Sequence, residues 1–364
     1  MSAGPIRVLI ADDFPTALEG LRRIVESTPE FHVIAALTEP RRVLEAVERE
    51  KPDLILLDFD MPELDGAQLT QAIMARFPTP VLIVSGLDSP ATRQHAQFRA
   101  LEAGAIDMVG KSMLAGADED GPARRAFLRK LRVAAGVTVF RRWRGVGVPA
   151  SPRPRGKIPG AQALRVISES SRGCRVVAIA ASTGGPPALS QVLSSFGGDF
   201  PVPVVVVQHI GDEFLDGFVG WLGTSSGRKT LKAQSGQWLE AGTVYVAPED
   251  CHLEVTPNLT VTLDRGVELN GCRPSADRLF GSVATAIGAA AIGVLLTGMG
   301  RDGATGLKLM RQSGAVTLVQ DEDTSVVYGM PGEAVKLSAQ TAILPLTEIG
   351  PALRAILLGK ERDP

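Results

Sequence analysis

The chain has 364 residues, 45% of them apolar and 21% charged, an ordinary globular balance with room for two domains. Lys and Arg total 38 against 40 Asp and Glu, which argues against a nucleic-acid binder. Three scattered cysteines (Cys174, Cys251, Cys272) with no C-x-x-C spacing argue against a disulfide framework and a thiolate zinc site, and suit a reducing cytoplasm. No signal peptide precedes the polar Asp12-Asp13 pair, and the longest apolar runs, such as Ile287–Thr297, are too short to span a bilayer. A cytoplasmic protein without stable membrane insertion is expected.

From Ile6 to about Ser112, short apolar strands alternate with amphipathic helices. The expected strands are Arg7–Ala11, His32–Ala36, Leu54–Leu57, Val81–Val84 and Ile106–Val109, with helical patterns such as Thr16–Ser27 and Pro40–Glu50 between them. Continuous apolar strands separated by helices imply a parallel sheet covered on both faces. The repeat count matches a flavodoxin-like doubly wound domain, assigned to residues 1–125.

Composition then changes. Between Gly121 and Ser168 there are twelve Lys or Arg residues and no acid, leaving 26 basic against 40 acidic residues elsewhere. Ala123–Leu131 reads as the last helix of the first domain. Val148–Gly160 has no apolar periodicity and several prolines, so residues 126–170 are assigned as a basic linker. The segment is either a solvated spacer or a contact for an acidic surface.

A second alternating series begins at Arg175, with strands expected at Val176–Ala180, Val202–Val207, Thr243–Ala247, Ala291–Leu296, Ala315–Leu318 and Ala342–Leu344. Leu253–Leu263 alternates polar and apolar residues and predicts a half-exposed hairpin. Residues 171–364 therefore form a second doubly wound, mostly parallel α/β domain with a β-hairpin.

In the first domain, acids cluster at two strand ends, Asp12-Asp13 and Asp58. In a doubly wound sheet these ends lie side by side at the carboxyl edge, where ligands bind. Converging carboxylates suit Mg²⁺, a hard ion that keeps waters and accepts a phosphate oxygen. Ser85 and Lys111 end two further strands, where a hydroxyl and a cation could hold phosphoryl oxygens. Together with D-F-D-M-P-E-L-D-G around Asp58, these residues resemble the response-regulator receiver family. The resemblance implies that Asp58 accepts a phosphoryl group. It further implies that Asp13, Asp58 and the Asp60 carbonyl bind Mg²⁺, with Asp12 helping through water.

In the second domain, Ser182 ends a strand in A-A-S-T-G-G-P-P. A serine on a sharp strand-to-helix turn exposes its hydroxyl, and Ala180-x-Ser182-x-Gly184 is similar to a nucleophile elbow. Of the four histidines, His32 opens a strand and His95 lies on a helix of the first domain, while His252 sits in an expected exposed turn. His209 directly follows Val204–Gln208 at a carboxyl strand end, where a structural and a general-base role are both open. Asp302 follows another buried strand in L-L-T-G-M-G-R-D-G-A. Serine, base and orienter at neighbouring strand ends form a relay recognised by roles and not by chain order. The same stretch offers a rival, because Gly298-x-Gly300-x-x-Gly303 with Asp321 and Asp323 downstream fits a dinucleotide fingerprint. Asp302 would repel a pyrophosphate there.

The runs A-S-T-G-G-P, V-V-V-V-Q-H, E-A-G-T-V-Y-V-A-P, R-P-S-A-D-R-L-F, L-L-T-G-M-G-R-D-G-A and Q-D-E-D-T-S-V-V-Y-G-M-P resemble the catalytic domain of the chemotaxis protein-glutamate methylesterase/glutaminase family (CheB). The resemblance implies Ser182 as nucleophile, His209 as general base and Asp302 as its orienter. Backbone amides near Thr183 and Met299 are the implied oxyanion donors. It implies methyl-accepting chemotaxis receptors as substrates, a chemotaxis histidine kinase as phosphodonor, no cofactor for ester hydrolysis, and no nucleic acid. It also implies that the receiver restrains the esterase until Asp58 is phosphorylated. Three positions depart from the family pattern: Cys272 stands where histidine usually precedes R-P-S, His209 is followed by Ile-Gly, and Ala180 replaces glycine. The alternatives carried forward are a receptor-binding scaffold without catalysis and a DNA-binding regulator. The second lacks a basic recognition helix outside the linker.

Overall fold

The computed structural model describes residues 4–86, 98–111, 121–137, 139, 173–198 and 200–358. His95 and Val148–Gly160 lie outside the described residues. The chain separates into two compact units, Met1–Ala150 and Ser151–Pro364.

The first unit contains β1 (Ile6–Ala11), β2 (Phe31–Leu37), β3 (Leu54–Asp58), β4 (Val81–Ser85) and β5 (Asp107–Gly110), in the sheet order β2-β1-β3-β4-β5. All neighbours are parallel. β3 and β4 are buried at every residue, as strands covered by helices on both faces must be. The order reverses between β1 and β3, which places Asp12 and Asp58 at the crevice where such sheets bind ligands. Beyond β3, Asp65 caps the helix Gly66–Arg76 in a reciprocal capping box with Gln68, fixing the entry of the loop that begins at the phosphoacceptor candidate.

One expected boundary is corrected. The last helix of this unit runs Pro122–Ala135, and Phe127, Leu131 and Ala134 pack into the first unit's core with Val8, Leu54 and Leu82. A linker starting at residue 126 would cut through that helix. Arg124, Arg125, Arg129, Lys130 and Arg132 therefore belong to a folded element, and the basic excess is not all linker.

The second unit is built on β6 (Val176–Ala181), β7 (Val204–Gln208), β8 (Lys229–Lys232), β9 (Thr243–Val246), β12 (Ala291–Leu295), β13 (Val316–Gln320) and β14 (Ala342–Leu344). Their order is β14-β13-β12-β6-β7-β9-β8, parallel throughout. β10 (His252–Val255) and β11 (Val261–Asp264) form the separate antiparallel hairpin. β8, Lys-Thr-Leu-Lys, was not foreseen. It is a four-residue edge strand with no buried residue, and an edge position of that kind leaves no apolar run to detect. The chain starts at β6 in the centre and winds outward both ways. The reversal between β6 and β12 defines the second ligand crevice.

Candidate functional site

In the first unit, Asp12, Asp13 and Asp58 each bring a carboxylate oxygen within 4.8 Å of the others. Asp12 and Asp58 are 0% and 3% exposed, so their charge must be met internally. Lys111 does part of this, with Nζ 2.6 Å from Asp12 Oδ2 and 3.2 Å from Asp58 Oδ2. Burial nevertheless pushes the Asp58 carboxyl up to about 6, against the pull of Lys111 and with Asp12 adding repulsion. Asp13 is likewise raised, by burial and by Asp12. Among the described residues, Asp13 Oδ1 and Asp58 Oδ1 are buried without a hydrogen-bond partner. Three converging carboxylates, two of them with an unpartnered hard oxygen, fit a magnesium ion. Ser85 is 1% exposed at the carboxyl end of β4, one residue beyond the Asp58–Val84 pair. Asp60 lies in the loop after β3, half-buried. Gly66 backs this loop closely, since a side-chain carbon there would meet the Phe59 Cα at 2.9 Å.

In the second unit, Ala181 pairs with Gln208, so Ser182 and His209 are the next residues on adjacent strands. The His209 amide donates to the Ala181 carbonyl at 3.1 Å. Ser182 is anchored on both sides: its N–H donates to Thr297, and its carbonyl accepts from Gly185 N–H at 2.7 Å and from Gln208 Nε2 at 2.9 Å. The left-handed residue of the turn is Gly184 (φ 75°), not the serine. This differs from a nucleophile elbow, in which the nucleophile itself sits on the strained turn. Gly298 presses on Ser182, where an added carbon would meet Ser182 Cβ at 2.8 Å.

Asp302 comes from the turn after β12 and is 2% exposed. His209 Nε2 lies 3.0 Å from its Oδ2. The remaining capacity is taken by Ser275 Oγ (2.7 Å), Ala276 N–H (2.6 Å), Asp277 N–H (3.2 Å) and Asn270 Nδ2 (3.3 Å). The carboxylate thus sits on the N-terminus of the helix Ala276–Ala286, whose cap is Ser275. Donors and dipole there favour the anion. Despite burial, which alone would raise it, the Asp302 carboxyl is held below the usual range by His209 and these donors. Burial disfavours the charged His209 ring, but Asp302 and the neighbouring Cys272 outweigh it and raise the imidazole well above its ordinary range.

Ser182 makes no hydrogen bond to His209 among the described residues, and such bonds are commonly long until substrate is bound. Thr183 is buried and Met299 half-buried, and neither backbone amide donates a hydrogen bond among the described residues. Thr297 ties the two segments together: its hydroxyl contacts the Thr183 carbonyl at 3.0 Å and its amide donates to Gln320 Oε1 at 2.8 Å.

His252 is the residue the sequence placed wrongly. It is 1% exposed, donating from Nε2 to the Val267 carbonyl (2.9 Å) and accepting at Nδ1 from Ser275 N–H (3.2 Å). Both ring nitrogens are therefore used to hold the turn that carries Ser275. The role of R-P-S-A-D was legible only as a motif, because Ser275 lies 27 positions from the carboxylate it holds. The dinucleotide alternative fares poorly. Asp302 is committed to protein donors, and Asp321 Oδ1 caps its own turn through Thr324.

The family profile described as CheB methylesterase matches residues 177–353, and that of the response regulator receiver domain matches residues 8–117. A protein-glutamate methylesterase/protein-glutamine glutaminase of Nitrosospira multiformis is 38% identical over 96% of this chain and 96% of its own. Its counterpart numbered 1 in Syntrophus aciditrophicus is 40% identical over 96% and 97%. Among solved structures, the CheB methylesterase catalytic domain of Thermotoga maritima is 32% identical. It covers 50% of this chain and 98% of its own with a TM-score of 0.49.

Proposed function

The chain belongs to the protein-glutamate methylesterase/protein-glutamine glutaminase family, a CheB-type methylesterase domain preceded by a receiver domain, and from that premise we propose how its residues divide the work. The observation that carries the reading is the His209–Asp302 pair at 3.0 Å beside Ser182, all at carboxyl ends of adjacent strands.

Ser182 Oγ attacks the carbonyl of a glutamyl methyl ester as His209 removes the hydroxyl proton. The C–O bond to the methoxy group then breaks, His209 returns the proton, and methanol leaves an acyl-serine. Water repeats the sequence on the acyl-enzyme and releases a free glutamate side chain. With a glutamine side chain the leaving group is ammonia. Asp302, fixed on the helix terminus, stabilises the imidazolium and holds the ring orientation. Thr183 and Met299 amides supply the oxyanion contacts, each worth on the order of 3–4 kcal/mol in such sites. No cofactor is proposed for that sequence of steps.

The substrates proposed are methylated glutamates of chemotaxis receptors, and the phosphodonor is a chemotaxis histidine kinase. Asp58 is the phosphoacceptor. Mg²⁺ would be held by Asp13, Asp58 and the Asp60 carbonyl, with Asp12 acting through water; when bound it offsets carboxylate charge and receives a phosphoryl oxygen. Lys111 and Ser85 hold the phosphoryl oxygens, and the new charge biases a two-state receiver that restrains the esterase. No described helix is long and apolar enough to cross a membrane, and we place the reaction in the cytoplasm.

The deciding experiment is methanol release from methylated receptor membranes by wild type and Ser182→Ala, with and without a small-molecule phosphodonor. Release that requires Ser182 and rises with phosphodonor supports both halves. Undiminished release by Ser182→Ala removes the nucleophile assignment.

A further inference from the structure

Cys272 lies on the half-buried turn just before the Ala276–Ala286 helix. Its Sγ, a ring nitrogen of His209 and a carboxylate oxygen of Asp302 all lie within 4.8 Å of one another. The three arrive from distant parts of the chain, after β7, after the hairpin and after β12, so no spacing motif announces them. Thiolate, imidazole and carboxylate form a donor set for a borderline-soft divalent ion such as Zn²⁺. Hard ions gain little from sulfur.

Two further observations favour a metal. His209 Nε2 and Asp302 Oδ2 already lie 3.0 Å apart, near the separation of two ligands on one ion. The Cys272 Sγ lies 3.8 Å from the Asn270 carbonyl and against the His209 ring. Tetrahedral bonds of about 2.0–2.3 Å place ligand atoms roughly 3.3–3.8 Å apart. Closing from the present cluster therefore asks for pairwise shifts of about 1.5 Å or less. Asp302 is committed to Ser275, Ala276 and Asp277, so it is the weakest of the three ligands.

We propose that Cys272, His209 and Asp302 form a reversible inhibitory site for Zn²⁺ inside the catalytic cleft. Binding replaces the Cys272 S–H bond with a Zn–S bond and releases the proton to solvent. His209 likewise gives up one ring proton to solvent, the freed lone pair forms the Zn–N bond, and no electron transfer is involved. With that pair on the ion, His209 has nothing with which to accept the Ser182 proton. The fourth position is open to water. The inhibitory half of this proposal rests on the esterase reading, whereas the binding half does not.

The test uses the full chain with excess Mg²⁺ to satisfy the receiver carboxylates, and Co²⁺ as spectroscopic probe. A thiolate ligand gives an intense near-ultraviolet sulfur-to-cobalt band that oxygen ligands do not give. The band is expected in wild type and in Ser182→Ala, displaced by Zn²⁺, retained in Cys174→Ser and Cys251→Ser, and absent from Cys272→Ser. Zn²⁺ inhibition of methanol release should weaken by about tenfold or more in Cys272→Ser, in line with loss of one ligand. A band that persists in Cys272→Ser, no band in folded wild type, or unchanged Zn²⁺ sensitivity in that variant overturns the proposal. A Cys272-dependent band on adding Co²⁺ to a protein that releases no methanol when metal-free supports the metal site while removing the esterase reading.

Discussion

The Ser275 hydroxyl donates a 2.7 Å hydrogen bond to Asp302 Oδ1, and the Ser275 amide in turn donates to the buried His252 ring. The carboxylate paired with His209 is therefore held by a helix cap, and the cap in turn by a second, buried histidine.

Replacing Asp302 with asparagine should affect both catalysis and stability. An amide group would point its own N–H at some of the five donors that now converge on the carboxylate. Loss of the correct imidazole orientation lowers kcat by roughly 10³–10⁴ in comparable triads. The unsatisfied donors should cost about 1–3 kcal/mol. Steady-state methanol release and denaturant unfolding check the two parts; an active, fully stable variant would remove Asp302 from its role.

His252→Ala deletes two buried hydrogen bonds and leaves a void beneath the Ser275 turn. We expect a loss on the order of 2–4 kcal/mol in stability and a fall in kcat with KM little changed. If kcat is unaffected in the folded variant, the chain of contacts from His252 to Asp302 does not position the site.

Gly298→Ala places a carbon 2.3 Å from Met330 Sδ, the far part of a flexible side chain, and 2.8 Å from Ser182 Cβ. Displacing a nucleophile by about an ångström can cost on the order of 10²-fold in rate. The expected result is a folded protein with normal far-ultraviolet circular dichroism and activity reduced by about that factor. Full activity would show that the turn yields without moving the serine.

Asp58 ionises at about 6 when folded against an ordinary 3.8, so the folded receiver binds the extra proton between those values. Stability contributed by the neutral acid is present below pH 3.8 and is lost as pH rises to 6; the slope follows from proton linkage. Asp58→Asn should therefore stabilise the receiver at neutral pH, by on the order of 1–3 kcal/mol. Mg²⁺ should narrow the difference by stabilising wild type more. Thermal scans of both proteins from pH 4 to 8 measure this, and a variant less stable than wild type at pH 7 would contradict it.

Removing residues 1–150 should raise the basal esterase rate if the receiver restrains the enzyme. A cut at residue 120 is the poorer experiment, since it strands Phe127 and Leu131, which are 1% and 0% exposed in the receiver core. A rate that is unchanged or lower after the longer deletion argues against restraint.

The sequence by itself determined the two doubly wound units, because runs such as Val204–Val207 and Leu54–Leu57 have no polar face and can only lie between helix layers. It also determined which residues reach the crevices, because a residue that ends a parallel strand at the carboxyl edge has few other places to go. Asp58, Ser182, His209 and Asp302 were legible on that ground. The tertiary structure alone decided what surrounds them. Ser275, Asn270 and His252 meet Asp302 or its cap across 23 to 32 positions of chain, and hydrogen bonds over such separations leave no local period to read. The same holds for Cys272 beside His209, and for the end of the receiver, where only packing shows that the basic helix Pro122–Ala135 belongs to the core.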